Sequence, residues 1–350
     1  MTNGTEPPQD DAHTPGRRLS IAVGEGARSG LKTALWLLSI MLPVSFAVLL
    51  LRWTGALSLL GDLLSPLFRA VDLPGSSALV FLSSLFINLY SAIAVMGELA
   101  LSLREVTLLA VMGLIAHNFL VEIAVLGTTG SPPARMIVLR LVAALAAGYV
   151  LSLLVPEELA QRSAAFGALA REGAGVTASS GFLDALGGWA VSSLLLVVRI
   201  ALILLALMVG ERLLQELGVV RWLGKRLGPL MKVFGLPEET AFLWVVSNTL
   251  GLAYGSGVLR REVTDGNLSR SHGDLLNHHI AISHSLLEDT LLFVALGVPA
   301  LWLVVPRLVL AIAAVWERRA ELALRSRQPP ATPWGRRRGI RSAGYRRRRR

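Results

Sequence analysis

The chain has 350 residues, 53% of them apolar, no cysteine, and a formal net charge of +10. Without cysteine, disulfides, thiolate metal ligands and cysteine nucleophiles are excluded. The apolar residues fall in runs of about 20, the length that crosses roughly 30 Å of hydrocarbon. Ten-residue blocks of strict alternation are missing. A soluble domain and an outer-membrane barrel are thereby excluded, and an all-α polytopic membrane helix bundle is expected.

Residues 1–30 read as a disordered cytoplasmic tail. Met1 to Ser20 is polar, holds Pro7, Pro8, Asp10, Asp11 and Pro15, and lacks an apolar core with a small-residue cleavage site. Eight spans follow: Leu31–Leu51, Ser76–Leu101, Val106–Leu126, Met136–Val155, Trp189–Val209, Ala241–Leu259, Leu275–Leu296 and Ala300–Trp316. Amphipathic pieces come after the first span (Ala56–Val71) and the fifth (Leu213–Phe234), the second carrying Arg221, Lys225, Arg226 and Lys232. The polar stretch Pro156–Gly181 marks a linker, 157–186, between membrane halves at 31–156 and 187–316. Residues 317–350 hold thirteen arginines against two glutamates. Such a tail stays inside by the positive-inside rule and is drawn to anionic lipid head groups by about 1 kcal/mol per arginine. The expected location is a bacterial-type cytoplasmic (inner) membrane with both termini cytoplasmic.

The halves share an order: a span, an amphipathic piece, then three spans. Leu60-Gly61-Asp62-Leu63-Leu64-Ser65-Pro66-Leu67 matches Leu223-Gly224-Lys225-Arg226-Leu227-Gly228-Pro229-Leu230, and Leu73-Pro74 matches Leu236-Pro237. Ala116-His117-Asn118-Phe119-Leu120 matches Ser283-His284-Ser285-Leu286-Leu287, and Glu122 then aligns with Asp289. Repeats of this kind place transporter sites at their interface. Eight spans with parallel repeats is the first expectation and ten with inverted repeats the rival. The parallel arrangement conflicts with charge, because it puts the basic piece after the fifth span outside.

Ionisable residues within spans mark candidate sites. On a continuous helix, Asn277, His284 and Glu288 share one stripe, His278, Ser285 and Asp289 share the next, and His279 points away. His117, Asn118 and Glu122 repeat the pattern more sparsely in the third span. Each of His117 and His284 is followed five residues later by a carboxylate, and both are expected near a pseudo-twofold axis inside the bundle. A bland reading of His284 and Glu288 is an ion pair locking helices together. Asn88, Tyr90 and Ser91, with Asn248, Thr249, Tyr254 and Ser256, can hydrogen-bond a solute in mid-span. Gly251, Gly255 and Gly257 suit either a broken helix or a helix-packing face.

Two similar halves, each with an amphipathic Gly-x-x-x-x-Pro-Leu segment, a Leu-Pro turn, an interrupted polar span and a polar helix after it, resemble the nucleoside-recognition or Gate domain membrane proteins. That group includes part of the concentrative nucleoside transporters, the membrane part of the ferrous-iron transporter and the spore-maturation membrane proteins. The likeness covers about Leu31 to Trp316. It implies a gated site lined by broken helices, here including Asn88–Ser91 and Asn248–Gly257. The cysteines of the iron transporter's gate are missing, and so is a phosphate-binding Gly-x-x-x-x-Gly-Lys-Ser/Thr motif.

The expected function is a transporter or permease for a nucleoside-like solute or a divalent cation. Coupling would come from an ion (H⁺ or Na⁺) or a separate partner. His284, Glu288 and Asp289 are the metal ligands expected for Zn²⁺, Mn²⁺ or Fe²⁺. The alternative is a scaffold or signalling membrane protein. An intramembrane metal enzyme is not expected, because His-Glu-x-x-His and Gly-x-Ser-x-Gly are missing. The partners expected are the bilayer, anionic head groups, a small solute or ion, and a second copy of the chain, not nucleic acid.

Overall fold

In the computed structural model, residues 15–162 and 181–327 are described, and they contain no strand. The first run of helices is α1 (Pro15–Trp53), α2 (Ala56–Arg69), α3 (Ser77–Phe86), α4 (Leu89–Glu98), α5 (Leu103–Ala116), α6 (Phe119–Thr128) and α7 (Pro133–Leu154). The second is α8 (Phe182–Glu216), α9 (Val219–Arg226), α10 (Gly228–Val233), α11 (Ala241–Thr249), α12 (Gly251–Thr264), α13 (Arg270–Ser283), α14 (Glu288–Ala295) and α15 (Ala300–Arg327).

Five stretches are long and apolar enough to cross a bilayer: α1, α5 with α6, α7, α8 and α15. The pair α13–α14 covers the same length as α5–α6, but His278, His279, His284, Glu288 and Asp289 lower its hydropathy. The α5–α6 stretch is 72% buried, against 28–33% for the other four. Together α5 and α13 form the centre, and α1, α7, α8 and α15 surround it. The outer helices turn large apolar side chains outward, among them Leu35, Trp36, Leu183, Leu202, Leu301 and Val309. So much exposed apolar surface suits hydrocarbon, not water.

Residues 76–101 and 241–264 differ from the straight spans expected of them. Each folds as a hairpin of two short helices, α3–α4 and α11–α12. A Cβ on Gly255 of α12 would lie 2.1 Å from Ser247 Oγ of α11. Residues eight apart on one straight helix would be about 12 Å apart. The second hairpin turns at Gly251, which is left-handed (φ 81°), and the first forms because the sequence offers a capping residue where a helix should continue. Asn88 is extended (φ −171°) and its Oδ1 accepts from Ser91 N at 2.8 Å, so α4 starts anew. Each hairpin begins and ends on one side of the bundle. Arg104 pairs with Asp72 across the feet of the first, and His272 Nδ1 lies 2.5 Å from Glu239 Oε1 at the feet of the second.

Helices α1 and α8 run antiparallel along their length. Gly26 and Gly30 abut Val209 and Leu205, Ser45 meets Ser193 at 3.1 Å, and Trp53 packs on Phe182. Parallel halves would align these helices instead, and here the two run in opposite senses. The ends of the bundle differ in charge. One end carries Arg18–Glu216, Arg212–Glu25, Arg135–Glu321 and Arg318–Asp274, together with the basic α9–α10. The other carries Arg104, whose guanidinium reaches Ser152 O and Val155 O, and Arg52, which reaches Glu98 O.

Three boundaries are corrected. Residues 15–30, expected in a disordered tail, are the first turns of α1, held against α8 by close approach at Gly26 and the Glu25 ion pair. Residues 182–186, placed in the linker, are the start of α8, and 317–327, placed in the basic tail, continue α15. The remainder of both tails and residues 163–180 lie outside the described residues.

Candidate functional site

The two central helices both break in mid-membrane, and they break alike. After α5, His117 is extended (ψ 164°) and Asn118 is left-handed (φ 47°) before α6 begins. After α13, His284 is extended (ψ 160°) and Ser285 is left-handed (φ 53°). Such breaks strand carbonyls at the end of one helix and amides at the start of the next, and in a bilayer each must be met from within the protein.

Two buried arginines meet the carbonyls. Arg140 Nε donates to Ile115 O and its Nη2 to His117 O, both at 2.9 Å. Arg307 donates in the same way to Ile282 O and His284 O. Both arginines are fully buried. The amides go to the hairpin tips: Asn118 N donates to Ser84 O at 3.1 Å, Ser285 N to Ser247 O at 3.1 Å, and Leu287 N to Asn248 O at 3.0 Å. Each hairpin is thus bonded to one helix break.

The imidazoles of His117 and His284 face each other, ring centroids 5.0 Å apart. Both are buried in the interior, where the sequence placed them. Glu122 lies between them, with His117 Nε2 3.3 Å from Oε1 and His284 Nε2 3.2 Å from Oε2. Arg140 Nη2 pairs with Glu122 Oε2 at 2.6 Å. Asp289 Oδ2 is 3.7 Å from His117 Nε2.

The other expected residues divide between this centre and its surroundings. Glu288 does not join the histidines; its Oε1 is 3.5 Å from Tyr90 Oη, which ties α14 to the first hairpin. The stripe drawn through Asn277, His284 and Glu288 assumed a continuous helix, and the turn at Ser285 re-aims everything after it. Asn277 sits a turn and more below, where its Nδ2 donates to Thr129 Oγ1 (2.8 Å) and Ser131 Oγ (3.0 Å). His278 accepts from Arg135 Nε at 2.7 Å near the basic end of the bundle. His279 stacks on Phe234 and takes a bond from Trp244. Ser91 Oγ bonds Asn88 Oδ1, and Thr249 Oγ1 bonds Val245 O, so these serve their own helices. Asn248 Nδ2 donates to Trp244 O, while its Oδ1 is buried without a hydrogen bond. Ser256 is buried in α12. Tyr254 lies outside the described side chains.

Sequence reasoning missed Arg140 and Arg307. Each stands inside an apolar span, and each follows its histidine by the same interval, from His117 to Arg140 and from His284 to Arg307. Glu98 is buried and accepts from Ser45 Oγ at 2.7 Å, within a small network with Trp189 and Ser193.

An all-helical bundle with apolar flanks and a charged, broken-helix centre defines a multi-pass membrane protein. The chain is similar to a Bacillus subtilis (strain 168) protein described as "Uncharacterized membrane protein YvoD", with 29% identity over 299 residues, covering 84% of this chain and 94% of that one. No family model matches the chain, and no solved structure matches it.

Proposed function

We propose that this protein is a transporter or permease of the inner membrane, and that its solute or ion passes through the centre bounded by His117, Glu122, His284 and Asp289. One observation carries the reading: both central helices break at the same depth, and each break is hydrogen-bonded to the tip of a hairpin that enters from the opposite side of the bundle. A hairpin that swings away from its break gives up one or two backbone hydrogen bonds, each worth about 0.5–1.5 kcal/mol, a scale suited to reversible opening. Ionisable residues kept in mid-membrane at a cost of several kcal/mol favour a pathway. The halves are read as inverted repeats, an arrangement in which rocking of one repeat on the other alternates access. The end that carries Pro15 and α9–α10 is assigned to the cytoplasm by its cations.

The chain's lack of cysteine makes the test direct. Tyr90→Cys and Thr249→Cys place one thiol at each hairpin tip. A membrane-impermeant maleimide is applied to right-side-out and inverted vesicles. A pathway lets at least one tip react from an aqueous side, and the two tips differ in the side they prefer. If neither thiol reacts from either side while both react in detergent-unfolded protein, the centre is sealed and the scaffold reading takes its place.

A further inference from the structure

The central cluster sets acceptors face to face, while Nη1 of Arg140 and Nη1 of Arg307 are buried donors without a hydrogen bond. His117 Nδ1 bonds Gly113 O at 3.2 Å and His284 Nδ1 bonds Ile280 O at 2.8 Å. A carbonyl only accepts, so Nδ1 holds the proton in each ring. A neutral imidazole then turns its Nε2 lone pair toward Glu122 and Asp289, and acceptor faces acceptor. His284 Nε2 and Asp289 Oδ2 are buried with no hydrogen-bond partner. Arg140 takes Glu122 Oε2, which leaves Oε1 facing His117.

The spacing suits a cation between these atoms. The ligand atoms of His117, Glu122 and His284 all lie within 4.8 Å of one another. Ligands about 2.0–2.2 Å from a tetrahedral metal stand about 3.4 Å apart, and the histidine–glutamate distances here are 3.3 and 3.2 Å. The supporting shell is already in place: a backbone carbonyl fixes each imidazole, and an arginine fixes the carboxylate, as metal-ligating residues require. Two imidazoles with carboxylates favour first-row ions such as Zn²⁺ and Co²⁺ over Mg²⁺ and Ca²⁺, which demand oxygen. The histidines of α13 are committed elsewhere, His272 to Glu239, His278 to Arg135 and His279 to Trp244 and Phe234.

We infer that His117, His284 and Glu122, with Asp289 as fourth ligand, form a binding site for a first-row divalent cation, and that this cation is the transported solute. The ligand set differs from that expected from sequence, with His117 and Glu122 in place of Glu288. The inference rests on the transport reading above.

The test is Co²⁺ and Zn²⁺ binding to the purified full chain in detergent, by visible absorption and calorimetry. One Co²⁺ per chain should bind with d–d bands of low coordination number. His117→Gln and His284→Gln should each weaken binding by at least about tenfold, the scale seen even for residues that only support a ligand. His13→Gln, His272→Gln and His278→Gln should leave it unchanged. X-ray absorption on Zn²⁺-loaded wild type needs no variant to fold, and should show two imidazoles near 2.0–2.1 Å. No bound metal, a shell without imidazole, or binding indifferent to His117→Gln and His284→Gln overturns the assignment. If metal fails to bind while the hairpin thiols still react from water, the cation is wrong and the pathway stands. If the thiols are sealed as well, the transport reading falls with it.

Discussion

Arg140 is the residue whose removal the structure prices most clearly. Its guanidinium is fully buried, bonds Ile115 O and His117 O at 2.9 Å, and pairs with Glu122 at 2.6 Å. Removing one partner of a buried ion pair destabilises by about 3–5 kcal/mol, because the other charge is stranded. Each carbonyl left unmet adds up to about 1–3 kcal/mol. Arg140→Met keeps the apolar bulk and removes all three interactions, so a loss of at least about 3 kcal/mol is expected. Arg307 makes the same two carbonyl bonds, but no carboxylate lies within ion-pair distance of it among the described residues. Arg307→Met should therefore cost less than Arg140→Met. Glu122→Gln in the Arg140→Met background should recover part of the loss, since it removes the stranded charge. The assay is reversible unfolding in mixed micelles, with helix content followed by circular dichroism. The reasoning is refuted if Arg140→Met falls within about 1 kcal/mol of wild type, or if Arg307→Met is the more damaging change.

Two further substitutions probe the hairpin and the breaks. Gly255→Ala drives a Cβ to 2.1 Å from Ser247 Oγ and 2.8 Å from Ser247 Cα, so it should prise α12 from α11 and lower the melting temperature. Gly257→Ala, with nothing within 4 Å, should be neutral or stabilising by up to about 1 kcal/mol; equal melting temperatures for the two would argue against the hairpin. At the first break, Asn118→Ala should cost about 1–2 kcal/mol because its φ is 47°, whereas Asn118→Gly should be tolerated. Alanine as stable as glycine there, in the same unfolding assay, would show the turn to be unstrained.

The helical class was legible because hydropathy reports how much apolar surface a segment presents, and α1, α7, α8 and α15 present it outward. The pairing of His117 with His284 was legible from their matched surroundings. The antiparallel course of α1 and α8 departs from the first expectation of parallel halves and agrees with its rival, for which the basic residues of α9–α10 carried the hint. Hydropathy cannot tell a straight span from a hairpin, since residues 76–101 are equally apolar either way. What distinguishes them is one capping asparagine, Asn88, and one close approach at Gly255. The breaks at Asn118 and Ser285 escaped notice because neither position holds glycine or proline, so the helical stripe was carried past Ser285 to Glu288. Arg140 and Arg307 were hidden inside segments judged by average composition.

The antiparallel course of α1 and α8 has a consequence for how the chain enters the membrane. The first run crosses with α1, α5–α6 and α7, so Leu154 at its end and Phe182 at the start of α8 both stand at the face opposite Pro15. The insertion machinery must therefore thread two sequences of similar pattern in opposite senses within one polypeptide. Charge tells them apart: Lys225 stands where the first run has Asp62, and Arg226 where it has Leu63. Exchanging those residues between the runs would leave every packing contact of the centre intact, yet give the nascent chain contradictory orders about which way to face.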